Sequence, residues 1–488
     1  MKMKNDRSAF YGIIGETIDI YQAEQAVAAA YSKLGGYSSG NREKCRVVVG
    51  HDASPAADMM TSAVCAALCA SGADVLTLGQ VPSGAVSFLT GACDAIMGVM
   101  ITGGCFDSEV TGLKFYQKDG RQITGDTLKS IQETIDGRVL LGSRHAGKNR
   151  IADSSVIGLY KRNLIDALGF TMFENLRIAV DCCDSACAPF AKSVFEQLGA
   201  KVSLMDSKLD SADPHIHSFE KPSALINFVH DTGSDIGFAF SADGEMCIVA
   251  LPDGGLLDSE RLAEVFGRVY GRGYNSEDSS HIIMLSDNCH IALAPYIKSM
   301  GAEVRTVTGD YSYLAEEYVG FDNVIMAVDR FAGIVFPRRS YVPDGLLTAV
   351  MLLSCMNRMG MSITEISNDI PKLLRNTSTV MIPSGAFIPV LRSTDLEEEV
   401  RVLRSFLSGD GRVLLYRPES NKVEIIVEGI KALQINKVIE RAEALVRKNL
   451  RVADDTPIYH RPAESEKPDS TESKQVSGGE IVNMKKGS

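Results

Sequence analysis

The chain has 488 residues, 45% of them hydrophobic and 23% charged, with a formal net charge of −12. That length exceeds one ordinary core and predicts three or four domains of a folded, globular kind. The acidic balance lacks any compensating basic block, which argues against a nucleic-acid partner. No run of about 18 uninterrupted apolar residues offers a membrane span.

Eleven cysteines are present. Cys65 and Cys69 lie four apart in an alanine-rich segment, and Cys182, Cys183 and Cys187 follow an apolar run. Without a CxxC pair or a histidine cluster to complete a zinc site, they read as buried thiols of a reducing compartment. The opening MKMKNDRSAFYG is not followed by an apolar stretch, so no signal peptide is expected and a cytoplasmic location is.

In chain order, residues 8–20 predict an opening strand and YQAEQAVAAAYSKLG a helix closed by glycine. CRVVV (45–49) is a buried strand that opens onto Gly50, His51 and Asp52, and Pro55 starts a helix to about 69. ADVLTLGQVPSG is a strand and turn, 85–90 a helix and AIMGVMI the next strand. A helix over 126–140 follows, then a polar linker, LGSRHAGKNR. This alternation predicts an α/β unit over 1–150.

A second unit over 151–257 has a helix (155–168), the strand LRIAVDCC, a helix (188–198) and the strand AKVSLMD. A loop with His215 and His217 comes next, then a helix (224–230), the strand DIGFAF opening onto SADGE, and CIVALPDGG. A third unit over 258–376 contains IIMLS, a helix (291–300), EVRTV, a helix near 313–318 and NVIMAV. Its long apolar helix covers 346–359. The pairs GAD at 72–74, GAK at 199–201 and GAE at 301–303 stand at equivalent places, so three repeated α/β units are expected. From 377 to 450 the runs TVMIPSG, RVLLYRP and KVEIIVEG with two helices (394–407, 433–448) predict an antiparallel sheet backed by helices. From 451 to 488, Pro, Ser, Glu, Lys and Gly dominate and a disordered tail is expected.

Chemistry concentrates at strand ends, where α/β sheets bind their ligands. GVMITGGCFDSEVTGLKFY (98–116) couples a buried strand to a glycine turn, an acidic loop and a second strand holding Lys114. Its only evident nucleophile is Cys105. Ser241, Asp243 and Glu245 follow the strand DIGFAF. Asp329 and Arg330 follow NVIMAV, and Arg417, Ser420 and Asn421 follow RVLLY.

In order and spacing, these segments resemble the α-D-phosphohexomutase family, the phosphoglucomutases, phosphomannomutases and phosphoglucosamine mutases. The resemblance spans nearly the whole chain except the tail. It implies three related mixed α/β domains plus a smaller α+β domain around a central cleft. Against the family's T-A-S-H-N-P and G-I-K-F, this chain has Thr102, Gly103, Gly104, Cys105, Phe106, Asp107, then Gly112, Leu113, Lys114, Phe115. The phosphorylated serine therefore falls at Gly104, which cannot carry a phosphoryl group. The metal loop D-x-D-x-D-R corresponds to Ser241, Ala242, Asp243, Gly244, Glu245 and Met246, which implies a weakened or lost Mg²⁺ site. Mg²⁺ is the one cofactor the resemblance suggests.

The sugar loop G-E-x-S-G-H corresponds to Val328–Gly333, with only the acidic character of Asp329 kept. The phosphate clasp R-P-S-G-T-E-P corresponds to Arg417, Pro418, Glu419, Ser420, Asn421 and Lys422. The arginines of F-G-T-x-G-I-R-G and V-G-R-D-T-R are absent from Tyr11–Glu16 and Gly50–Ala53, and no lysine follows Thr306–Asp310.

Two readings follow. In the first, the protein is a silent homologue that has lost the phosphoserine mutase reaction and binds a sugar phosphate or a protein partner. In the second, it is an active intramolecular phosphotransferase, moving phosphate between the 1- and 6-positions of a sugar with an altered site. Cys105, Ser108, Lys114, Asp243 and Glu245 would then do the work. An unrelated activity using His51, His215 or His217 is a third possibility.

Overall fold

The computed structural model describes residues 4–5, 8–35, 45–104, 110–136, 145–169, 172–182, 185–205, 222–271, 281–309, 311–368, 374–381, 386–387, 394–407, 411–419, 422–429, 431–449 and 451–452. Its architecture is mixed α/β, with several sheet-centred parts.

The apolar runs become strands buried on both faces, as expected for parallel sheets covered by helices. Met97–Ile101, Ile236–Phe240 and Ile282–Ser286 are buried along their whole length. In the seven-stranded sheet, Arg46–His51 runs parallel to both Asp74–Gln80 and Met97–Ile101. Val110–Gln117 then returns antiparallel to Met97–Ile101. The five-stranded sheet repeats the pattern with Arg177–Asp181 at its centre, Lys201–Leu204 and Ile236–Phe240 parallel beside it, and Cys247–Ala250 returning. The four-stranded sheet repeats it again with Ile282–Ser286, Glu303–Val307, Val324–Asp329 and Gly333–Val335.

In each of these repeats the first strand lies between the second and third, and a fourth strand pairs antiparallel with the third. The Gly-Ala pairs at 72, 199 and 301 each precede the second strand. One apolar core runs from Val48 and Val86 through Tyr160 and Phe190 to Phe266 and Leu346, so helices of all three parts share it. Helix starts carry their own caps. Asp19 and Gln22 form a capping box, Asp153 caps Ser154–Asp166, and Asp344 accepts from Leu347 N at 3.0 Å.

Arg375–Met381, Lys422–Glu428 and Arg412–Glu419 form a three-stranded antiparallel sheet with its own core, which includes Val423, Ile425, Ile435 and Val438. A buried charge cluster attaches it to the four-stranded part. Arg375 donates to both Glu260 and Glu428, and Arg412 donates to Glu428 at 3.0 Å and to the carbonyls of Asp287 and Cys289. Glu428 also accepts from Ile291 N at 3.0 Å.

Three elements depart from the sequence reading. The end of the expected linker at 141–150 is the edge strand Asn149–Ile151, parallel to Asp74–Gln80; its three residues are exposed, so no apolar pattern announced it. The helix Ser259–Gly271 was not anticipated, because Glu260 and Glu264 interrupt its buried face. The tail expected over 451–488 begins instead with a short strand, Arg451–Val452, whose backbone pairs antiparallel with Ala386–Phe387; the remainder lies outside the described residues.

Removing Glu428 leaves two arginines buried without their shared carboxylate. Glu428→Ala is expected to cost about 3–5 kcal/mol in urea unfolding, the range for breaking a buried ion pair. Burial works against the Glu428 carboxylate, but bonds from Arg412 and the charges of Arg375, Arg412 and His290 hold its pKa below the usual value. The wild-type contribution is therefore kept above the ordinary glutamate pKa and lost as pH falls below it, and Glu428→Gln flattens that acid limb.

Candidate functional site

The three connections after the third strands carry the candidate residues. In the first sheet, Met97–Ile101 delivers Thr102, Gly103 and Gly104. Asp52, buried at the end of Arg46–His51, accepts from Gly103 N at 3.2 Å and from Ser54 N at 2.8 Å. Thr102 Oγ1 accepts from Gly104 N at 2.8 Å. A Cβ on Gly103 would lie 2.2 Å from the carbonyl oxygen of Val110. Gly104 has φ +69°, the left-handed region that side chains other than glycine enter at a cost. Cys105 and Ser108 lie outside the described residues.

Lys114 sits on the return strand opposite Met100. Its ammonium reaches into the second connection, 3.0 Å from Asp243 Oδ2 and 2.6 Å from Glu245 Oε1. All three side chains are withdrawn from solvent, at 13%, 1% and 8% exposure respectively. The resemblance assigned Lys114 to catalysis and Asp243 and Glu245 to a metal; the fold joins them to one another.

Ser241 Oγ donates to Asp243 Oδ1 at 2.7 Å and accepts from Met246 N at 3.0 Å, while Glu245 N donates to the same Asp243 oxygen at 3.1 Å. Gly244 turns the loop with φ +73°, and a Cβ there would meet Pro82 Cβ at 2.6 Å and Cys187 Sγ at 2.8 Å. Neighbouring backbone grips the loop from outside. Ser83 N donates to Asp243 O at 2.9 Å, Ala186 N to Ala242 O at 2.8 Å and Gly345 N to Gly244 O at 2.8 Å.

The electrostatics follow from burial and pairing. Burial opposes the Lys114 charge, but Glu245 and Asp243 outweigh it and hold the ammonium well above the usual lysine pKa. Burial likewise opposes the Asp243 carboxylate, yet Lys114, Ser241 and Glu245 N together hold it below the usual value. Glu245 bears the excess negative charge: burial and Asp243 push its pKa up to about 7 against the pull of Lys114.

The third connection is closed on itself. Asp329, expected to meet a sugar, is buried; its Oδ1 accepts from Phe331 N at 2.8 Å and Ala332 N at 2.9 Å, and its Oδ2 from Asn288 Nδ2 at 2.8 Å. Arg330 lies beside it, 3.4 Å from Glu424 Oε1. Arg417 lies on Arg412–Glu419, while Ser420 and Asn421 are outside the described residues, as are His215 and His217. His51 Nδ1 is 2.8 Å from its neighbour's carbonyl, Asp52 O. Among the described residues, no three His, Cys, Asp or Glu side chains converge as metal ligands.

Residues 8–139 match the family profile of phosphoglucomutase/phosphomannomutase, alpha/beta/alpha domain I. The chain is 27% identical over 415 residues to phosphoglucosamine mutase of Thermobifida fusca, covering 83% of this chain and 90% of that one. It is 25% identical over 401 residues to phosphoglucosamine mutase of Clostridium novyi, covering 81% and 88%. This chain belongs to the α-D-phosphohexomutase superfamily. A phosphoglucomutase/phosphomannomutase family protein from Burkholderia thailandensis shares the fold at a TM-score of 0.73, with 20% identity over 91% of this chain and 98% of that one.

Within that superfamily frame, sequence reasoning found Lys114, Asp243 and Glu245 but missed their union, and it missed the positioning groups Ser83, Ser185 and Asn288. Ser185 Oγ donates to Ser241 O at 2.8 Å. A signal was available: a loop stripped of one carboxylate and its arginine still leaves two buried acids that need a cation. Among the described residues, no helix is long and apolar enough to cross a membrane.

Restoring the superfamily serine tests the turn directly. Gly104→Ser places a side chain at positive φ and is expected to lose about 1–2 kcal/mol of stability in urea unfolding.

Proposed function

We propose that this superfamily member is catalytically silent as a phosphoserine mutase and acts by binding a ligand or a partner. The observation that carries this reading is Gly104. At the place of the superfamily serine it offers no hydroxyl, and its left-handed backbone disfavours the residue that would.

Two further features support the reading. An amine accepts a proton only when neutral, and Lys114 is held as an ammonium by two buried carboxylates, which removes it from general-base work. The donor set of the second connection also does not fit Mg²⁺, which demands near-octahedral oxygen ligands. Both carboxylates already face the Lys114 ammonium, and the Ser241 hydroxyl is committed to Asp243 and Met246. Phosphoryl transfer rests on positioned charge around a nucleophile; Gly104 supplies no hydroxyl, and among the described residues Lys114, Asp243 and Glu245 are paired with one another.

The relatives named phosphoglucosamine mutase make glucosamine phosphates the first ligands to test. The purified chain is expected to give no interconversion of glucose, mannose or glucosamine 1- and 6-phosphates with Mg²⁺ and a sugar bisphosphate primer. Isothermal titration with the same sugar phosphates then separates a ligand-binding from a partner-binding role. Turnover that disappears in Cys105→Ser or Asp243→Ala would sink the silent reading and favour the altered-site enzyme.

A further inference from the structure

We infer that Lys114 is the resident cation of this chain: its tethered ammonium fills the place between Asp243 and Glu245 and joins the first and second sheets without a divalent metal. One nitrogen lies within ion-pair distance of both carboxylates, and those carboxylates belong to a different sheet, 129 and 131 residues further along the chain. Lys114 is aimed there by its strand, since its neighbours Leu113 and Phe115 are locked in the core. The alternation of side chains along a strand leaves the lysine on the opposite face from them.

The loop's own donors stabilise part of the negative charge that the single ammonium faces. Asp243 Oδ1 takes the Ser241 hydroxyl and the Glu245 N–H, leaving Oδ2 and Glu245 Oε1 for the ammonium. A divalent ion entering here meets a like charge a few ångströms away that cannot diffuse off, and it must also shed water. The tether gives the lysine an effective concentration no free ion matches. Metal binding is the readout, so this inference stands or falls apart from the mutase assay.

The test is a titration of the full chain with Mn²⁺, followed by the electron paramagnetic resonance signal of the free ion. Wild type is expected to leave the signal unchanged. Lys114→Ala, checked for native circular dichroism, is expected to take up Mn²⁺ with an affinity gain of roughly tenfold or more, since the competing charge is gone. That uptake is expected to disappear again in Lys114→Ala combined with Asp243→Asn. Wild-type binding that is lost in Asp243→Asn or Glu245→Gln overturns the inference, as does a folded Lys114→Ala that binds no Mn²⁺. If Lys114→Ala does not fold, Lys114→Gln takes its place. If neither folds, the wild-type arm decides, with binding through Asp243 against the inference and its absence in favour.

Discussion

The Lys114 ammonium lies between the carboxylates of Asp243 and Glu245 and ties the first sheet to the connection that follows the third strand of the second. Two acids held this close in a dry place demand a positive charge, or one of them must take a proton. The lysine supplies the charge, and the residual imbalance shows in the raised pKa of Glu245. The loop that presents the acids is fixed by backbone bonds from Ser83, Ala186 and Gly345. It can therefore neither move away from the lysine nor open to admit another partner without breaking several bonds.

Around this contact the chain repeats one topology three times. Each time the connection after the third strand carries candidate residues, and the described ones are tied down by hydrogen bonds or ion pairs. The first closes on Asp52 and Thr102, the second on Lys114 and Ser241, the third on Asp329 and Asn288. Among the described residues, Asp243, Glu245 and Asp329 each have partners within the protein. The superfamily architecture tolerates this because the strands are held by burial and ladder bonds that do not depend on the connections.

Much of the fold was legible in the sequence, and for a physical reason. Runs such as VVV, IGFAF and IIMLS are buried on both faces, so hydrophobicity alone marks them, and the Gly-Ala pairs mark where each second strand begins. What escaped was anything decided by distant partners. Asn149–Ile151 is held by backbone pairing and hides no side chain. Glu260 reads as a polar interruption until Arg375 is brought to it. Lys114 carried a family role whose meaning depends on what lies 129 residues away. The turn at Gly103–Gly104 was legible as glycine where the resemblance places a serine, but the positive φ of Gly104 was not.

The charge cluster at Glu260 also has a bearing on how the protein is made. Glu260 is buried in the third part of the chain, yet its partner Arg375 lies 115 residues later. At roughly 5–20 residues per second, synthesis delays that partner by on the order of ten seconds. Until then the nearest cation made for this carboxylate is Arg330, whose Nε lies 4.0 Å from Glu260 Oε2. The three-stranded sheet thus carries the last group to be synthesised among those that pair with this buried carboxylate.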